Sequence, residues 1–265
     1  MGEQADPGYR DPDRSAGFEE MLRNLDHFDA TDYVRRARRL MYRQLRPKPG
    51  MRLLDAGCGT GLDAAALASK VQPEGSVVGL DVSARFVVVA RQRHGSIPGL
   101  QFVVASIEDT GFPDAYFDGA CSMRTVQYLD DAMPALRELV RVTRPGGRVV
   151  VVEGGMSTVD LPDGELRRLS FGPRSGFGVT LYNLMRDVGL QRVRVSPAFG
   201  FSTGRVDPKI QEYARSVAAS AVGEGSVDAI EAERWLRELD AVIESGRWFS
   251  ADCMFVVAGT VPVRG

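Results

Sequence analysis

The chain has 265 residues, 44% hydrophobic and 26% charged, with a formal net charge of −2. Those proportions suit an ordinary globular protein with enough apolar material for a substantial core, and the near-balanced charge leaves no electrostatic footprint for nucleic acid. The three cysteines, Cys58, Cys121 and Cys253, are odd in number and lack metal-ligand spacing; with no leader or membrane-spanning apolar run legible, a reduced cytoplasmic setting without metal or membrane association is expected.

Residues 1–17 are polar, with Pro7 and Pro12, and read as a flexible N-terminus. Residues 18–46 read as a helical cap, with helices predicted over Phe18–Leu25 and Thr31–Leu45. In the second, Tyr33, Ala37, Leu40, Met41 and Leu45 recur at helical spacing, and Arg35, Arg36, Arg38, Arg39 and Arg43 cover the other faces as solvated basic surface. Pro47, Pro49 and Gly50 end that helix and open a domain running from 47 to 265.

Met51 to Leu54 is a short apolar strand that stops at Asp55 and then at Gly57-x-Gly59-x-Gly61, followed by the helix-forming Ala64 to Ala68. Glycine at such a turn accepts positive φ and lets a ligand lie against the main chain, and the free N–H groups of the helix start suit a hydrogen-bonding or anionic ligand. The dinucleotide fingerprint G-x-G-x-x-G needs a third glycine where Leu62 stands. The turn alone therefore allows several cofactors, or none.

Strand and helix then alternate. Ser76 to Asp81 is a second strand ending in an acid, and Ser83 can cap a helix carrying Phe86, Val87 and Ala90 on one face. Leu100–Ala105 and Phe117–Met123 give two more strands; Asp130 and Asp131 start a helix that Arg144-Pro145-Gly146-Gly147 breaks, and Arg148–Val152 is a fifth strand closed by Glu153. Beyond it, Phe177–Val188 reads as a helix and Gln191–Phe199 as a strand. A helical insertion spans 205–246, its second helix carrying Ala232, Trp235, Leu236, Leu239, Val242 and Ile243 on one face with Ser226 as N-cap, before a last strand from Trp248 to Val261. Such alternation argues a parallel sheet with helices on both faces. Ligands bind beyond the carboxyl ends of its strands, which aligns Asp55, Gly57, Asp81, Ser106, Ser122 and Glu153 along one rim.

Taken together, Leu53-Leu54-Asp55-Ala56-Gly57-Cys58-Gly59-Thr60-Gly61, Gly79-Leu80-Asp81-Val82-Ser83, Phe117-Asp118-Gly119-Ala120 and Leu139 to Arg148 resemble, in order, the motifs of class I S-adenosylmethionine-dependent methyltransferases. Within that family the chain is most similar to the small-molecule branch of ubiquinone and menaquinone biosynthesis, whose lid helix and last strand the segment Trp235–Phe249 also resembles. The resemblance implies an α/β, Rossmann-like, doubly wound, seven-stranded and mostly parallel sheet, with N-terminal helices and a helical lid inserted before the last strand. It implies S-adenosyl-L-methionine held by Asp55, Gly57, Gly59, Asp81, Val82, Ser106, Ile107 and Ser122. Asp63 and Arg124 are further carry-overs that also read as a helix-start acid and a surface charge. The chain departs from the family in two places: Ser106 stands near where an acid usually bonds the adenine amino group, and Tyr128 where many relatives carry histidine.

The implied activity is methyl transfer to an oxygen, nitrogen or carbon nucleophile of a small molecule, of the kind met in secondary metabolism, by a monomer or homodimer. Such a displacement needs the acceptor on the methyl axis and, for some acceptors, a base. Candidates for the base or its substitute are Glu153, His27 and Tyr128, while Tyr33, Met123, Tyr182 and Phe199 are candidate apolar walls for the acceptor. His94 reads as surface. The alternative is a protein that binds the cofactor without transferring its methyl, as a lyase, cyclase or regulator, because fold does not fix chemistry.

Overall fold

The computed structural model describes residues 12–14, 17–159, 177–204, 206, 208–223, 225 and 227–263. Two helices open it, α1 (Phe18–Asp29) and α2 (Asp32–Leu45). There follow β1 (Arg52–Ala56), α3 (Leu62–Val71), β2 (Ser76–Asp81), α4 (Ala84–His94), β3 (Leu100–Val104) and β4 (Phe117–Met123). A 3-10 turn at Val126–Tyr128 leads to α5 (Ala132–Val142), β5 (Thr143–Val159), α6 (Phe177–Asp187), β6 (Gln191–Gly204), α7 (Pro208–Gly223), α8 (Ala229–Glu244) and β7 (Trp248–Thr260).

The seven strands form one sheet in the order β3-β2-β1-β4-β5-β7-β6. The pairs among β1 to β5 are parallel, and β7 runs antiparallel to both β5 and β6. The doubly wound, mostly parallel sheet implied by the motifs is therefore the observed one. Strand order reverses between β1 and β4, which opens a crevice above their carboxyl ends.

Both faces of the central strands are covered, so β1 is buried continuously from Leu53 to Ala56 rather than at alternate residues. Leu53 packs with Met41, Leu45, Leu67, Val71 and Phe102 under α2, α3 and α4. Leu54 packs with Phe117, Leu136, Leu139, Leu181 and Met185 under α5 and α6. Truncating any of these fully buried leucines to alanine costs about 2–5 kcal/mol in transfer and cavity terms.

Several elements run longer than their sequence patterns predict. Helix α1 reaches Asp29, and β5 continues past Gly154-Gly155 to Val159 instead of stopping at Val152. The glycine pair does not end the strand. It sits at a register shift against β7, where a Cβ on Gly155 would lie 2.4 Å from the Phe255 ring. β6 likewise extends to Gly204. Because β6 ends and β7 begins at the ligand-binding edge of the sheet, the α7–α8 hairpin emerges there. It carries its own apolar core, with Ala214 and Ala218 against Trp235, Leu239 and Val242, closed by Trp248. The N-cap of α8 is Asp228, which accepts from the Glu231 amide at 2.7 Å; the predicted cap, Ser226, lies outside the described residues. No helix among the described residues is long and apolar enough to cross a membrane.

Candidate functional site

A cavity of about 480 Å³ lies at the switch point. Its floor is the glycine turn after β1. The Gly57 and Cys58 amides donate to the Leu80 carbonyl at 2.7 and 2.8 Å, which ties the turn to β2. Gly57 has φ +78°, and a Cβ there would fall 2.1 Å from Thr125 Oγ1. Gly59 has φ +50°, and a Cβ on it would meet nothing within 4 Å. Its bare backbone therefore faces open space on the cavity wall. Gly61, at φ +83°, lets the turn close onto the Phe102 ring, 2.7 Å from where its Cβ would be. The close-packing role belongs to Gly61, and Leu62 is left half-exposed on the cavity wall.

Asp81 ends β2 with both carboxylate oxygens engaged: Oδ2 accepts from the Gly59 amide at 2.8 Å and Oδ1 from the Ser83 amide at 2.9 Å. Burial raises its pKa above the ordinary aspartate value, partly offset by those amides. Asp55 ends β1 and is 2% exposed. Its Oδ1 lies 3.7 Å from the Cys121 thiol, and its Oδ2 has no hydrogen-bond partner among the described residues. Burial, reinforced by the neighbouring Asp63 charge, pushes its carboxyl well up. A buried oxygen with no donor carries a desolvation cost that an incoming N–H or cation would relieve.

The helical cap forms the opposite wall. Arg38 donates to Asp63 at 2.7 Å and to Asp29 at 2.8 Å, and the Tyr42 hydroxyl donates to Asp63 at 2.5 Å. Burial opposes the Arg38 charge, but Asp63 and Asp29 outweigh it and hold the guanidinium protonated more firmly than a free one. Burial and the Asp63 charge push the Tyr42 phenol up, so it stays a neutral donor. Seven acidic side chains (Asp29, Asp55, Asp63, Asp81, Glu108, Asp130 and Asp131) line the cavity against two guanidiniums, Arg38 and Arg124. The balance favours a cationic ligand.

Of the sequence-derived cofactor set, Asp55, Gly57, Gly59, Asp63, Asp81, Val82, Ser106, Ile107 and Arg124 converge on this cavity, and Met123 and Tyr128 join them. Arg124 stands at φ +56° with its guanidinium 4.9 Å from the Phe28 ring of α1. Ser106 Oγ accepts from the Glu108 amide at 3.1 Å, and Glu108 supplies an acid two residues beyond it on the cavity wall.

Ser122 is not on that wall: it is fully buried, and its Oγ has no partner among the described residues. Glu153 is also fully buried, its Oε1 accepting from the Thr125 and Val126 amides at 3.1 and 2.8 Å. Burial raises its pKa to about 8, with the Thr125, Val126 and Gln127 amides and the Arg124 charge pulling the other way. His27 is half-buried on α1 against Phe28. Tyr33 packs on β6, where Gly200 leaves room for it; Tyr182 lies exposed on α6 beside Arg186, and Phe199 is exposed on β6. The four candidate acceptor walls are thus not brought together, and Met123 alone of them lines the cavity.

Arg38, Asp29 and Thr125 were missed by sequence reasoning. By spacing alone Arg38 is indistinguishable from four other arginines of α2; its one local signal is Tyr42, one turn further on the same face. Thr125 stands two residues beyond the end of β4 without any special pattern.

A family model described as a methyltransferase domain matches residues 54–151. An uncharacterized 37.1 kDa protein of transposon TN4556 from Streptomyces fradiae is 32% identical over 88% of this chain and 69% of its own length. The demethylmenaquinone methyltransferase of Symbiobacterium thermophilum is 30% identical over 56% of this chain and 64% of its own, so the match spans under two-thirds of that enzyme. Among solved structures, the YcgJ protein of Bacillus subtilis superposes with a TM-score of 0.62 at 20% identity, covering 87% of this chain and 100% of its own. That last likeness concerns the fold.

Proposed function

We propose, on the premise that this chain belongs to the class I S-adenosylmethionine-dependent methyltransferases, that it methylates an oxygen, nitrogen or carbon nucleophile of a small molecule. When bound, S-adenosyl-L-methionine supplies a methyl group on an electrophilic sulfonium. The observation that carries the reading is the conjunction of three features on one cavity: the open backbone of Gly59, the unpartnered Oδ2 of buried Asp55, and Asp81 at the end of β2.

Each feature fits one part of the cofactor. Asp81 would accept from the ribose hydroxyls. Val82 and Ile107 would flank the adenine, with Ser106 and Glu108 at its polar edge. Asp55 and the Gly57–Gly59 backbone would hold the methionine end, where a carboxyl oxygen without a donor, Oδ2, suits an ammonium group. The acidic lining suits a ligand whose reacting atom is cationic.

The acceptor would enter beside Met123, Tyr128 and Leu129, between the turn after β4 and the helical cap. A cavity of about 480 Å³ roofed by α1 and α2 favours a small molecule over a polymer. Of the three candidate groups for proton transfer, Tyr128 is the one that supports a role at the acceptor, since it lines the cavity. Positioning supplies most of the remaining catalysis, because the leaving group needs no protonation.

The test is direct. Purified protein is incubated with S-adenosylmethionine carrying a tritiated methyl group and a panel of small phenols, quinols and amines. Acceptor-dependent appearance of S-adenosylhomocysteine with label in the product supports the reading. Tight binding of the cofactor with no transfer to any acceptor would leave the non-methylating alternative standing instead.

A further inference from the structure

Asp13 lies outside every element of the fold, yet its carboxylate makes three hydrogen bonds at the start of α4. Oδ2 accepts from the Ala84 amide at 3.0 Å, and Oδ1 accepts from the Arg85 amide at 3.1 Å and the Ser83 hydroxyl at 2.5 Å. The other two amides of the helix start are also satisfied: Phe86 donates to Ser83 Oγ at 3.1 Å and Ser83 to Asp81 Oδ1 at 2.9 Å, and the Val87 amide makes the first intrahelical bond, to the Ser83 carbonyl. A helix start leaves four N–H groups without intrahelical partners, and here all four are engaged, two of them by a residue some seventy positions upstream. The site where an anion would ordinarily dock holds the chain's own carboxylate.

The contact continues to the cofactor cavity by two routes. Ser83 donates its hydroxyl to Asp13 and its amide to Asp81 Oδ1, and Asp81 Oδ2 in turn holds the Gly59 amide. Next to Asp13, Pro12 is buried and stands on the cavity wall together with Phe86. Phe18 packs on Phe86 in a tilted pair with ring centroids 4.9 Å apart, the Arg85 guanidinium lies 3.8 Å over the Phe18 ring, and Met21 joins the same apolar cluster. Burial works against Asp13 ionising, but the Ser83 hydroxyl, the Arg85 and Ala84 amides and the Arg85 charge outweigh it and hold the carboxyl below its usual range.

We infer that Asp13 is a positioning residue of the cofactor site: by pinning the Asp81–Ser83 turn and the start of α4, it sets the ribose-facing acid and lays Pro12 against the adenosine end of the cavity. The inference rests on the cofactor reading above. By linkage, a ligand that needs the turn in this arrangement tightens the docking of the N-terminal segment, and loss of the docking weakens the ligand by the same factor.

The experiment uses the full chain with S-adenosylhomocysteine as the probe. Calorimetry on wild type, Asp13→Asn and Asp13→Ala is paired with amide exchange at Ala84 and Arg85. Asp13→Ala is expected to weaken binding about fivefold to tenfold, the scale of one lost helix cap, with Asp13→Asn in between. In wild type the probe should slow exchange at both amides, and in Asp13→Ala it should not. Affinity within twofold of wild type in Asp13→Ala overturns the inference even if the unliganded variant melts earlier, for that is the signature of a purely structural cap. Wild type that fails to bind the probe removes the cofactor reading itself, and this inference with it.

Discussion

Glu153 Oε1 accepts the Val126 amide at 2.8 Å from the far side of the turn that follows β4. The carboxyl is wholly buried and its other oxygen has no partner among the described residues. Its pKa of about 8 means that the folded protein binds this proton more tightly than the unfolded chain, whose glutamate sits near the ordinary value of 4.5. Between those two values the native state holds more protons, so stability from this group falls as pH rises through the window and is level outside it. Glu153→Gln removes the titration while keeping an oxygen for the two amides. Urea unfolding from pH 5 to pH 9 should show the wild-type slope flattened in Glu153→Gln, with the variant gaining on the order of a few kcal/mol relative to wild type by pH 9. An identical slope in both would mean that Glu153 is ionised throughout.

How much of this was legible beforehand depends on the range of the interaction. Gly57, Gly59 and Asp81 could be placed because a strand end and a tight turn leave a local mark in composition. The helix face of Trp235, Leu239 and Val242 was equally plain from its period. Arg38 was not, since five arginines on α2 share one periodicity and only the fold shows which of them meets Asp63, twenty-five residues away. Glu153 reads from the sequence as an acid closing a strand, but it lies within β5, and its direction, beneath the turn instead of into the cavity, is set by the Thr125 and Val126 amides. Tyr33, Tyr182 and Phe199 were chosen by residue type, which does not say which side of a sheet or helix they occupy.

Gly57 and Gly59 should separate folding from binding. At Gly57, alanine meets both a positive φ, costing about 1–2 kcal/mol, and the Thr125 side chain. At Gly59 the φ cost is similar, but the new methyl projects into open cavity. Gly57→Ala is expected to lose about 3 kcal/mol or more in urea unfolding, as strain and overpacking add. Gly59→Ala should lose about 1 kcal/mol of stability yet bind S-adenosylhomocysteine at least tenfold more weakly by calorimetry. Equal binding in Gly59→Ala and wild type would take the turn out of the site.

Asp81→Ala should cost on both counts, because the carboxylate organises Gly59 and Ser83 as well as facing the cavity. Losing an acceptor for two amides is worth about 1–3 kcal/mol of stability. S-adenosylhomocysteine affinity should fall by about two orders of magnitude, the loss of two charge-assisted hydrogen bonds. In wild type, burial raises the Asp81 pKa, so affinity should begin to fall with decreasing pH sooner than an exposed aspartate would dictate. Calorimetry between pH 5 and pH 7.5 checks the direction: affinity rising as the pH drops would contradict an ionised Asp81 as the ribose acceptor.

Arg38 ties α1 to the start of α3, beside the apolar face of α2 (Val34, Ala37, Met41 and Leu45) that is buried in the main core. Its side chain is 11% exposed, and the guanidinium bridges Asp63, at the first turn of α3, to Asp29, at the end of α1. Arg38→Ala leaves Asp63 with the Tyr42 hydroxyl alone and strips Asp29 of that partner, and breaking one side of such a pair costs about 3–5 kcal/mol. Arg38→Lys keeps the charge but cannot serve both carboxylates with a planar fork, so about half of that loss is expected. The exposed Arg36 supplies the control: Arg36→Ala should stay within about 0.5 kcal/mol of wild type. The same variants separate stability from docking of the cap. If α1 and α2 close the site as a unit, Arg38→Ala should speed S-adenosylhomocysteine release in stopped flow, and amide exchange should rise across α1 while the protection of β1 and β4 is kept. Uniformly raised exchange throughout the sheet would show instead that the bridge supports the whole domain.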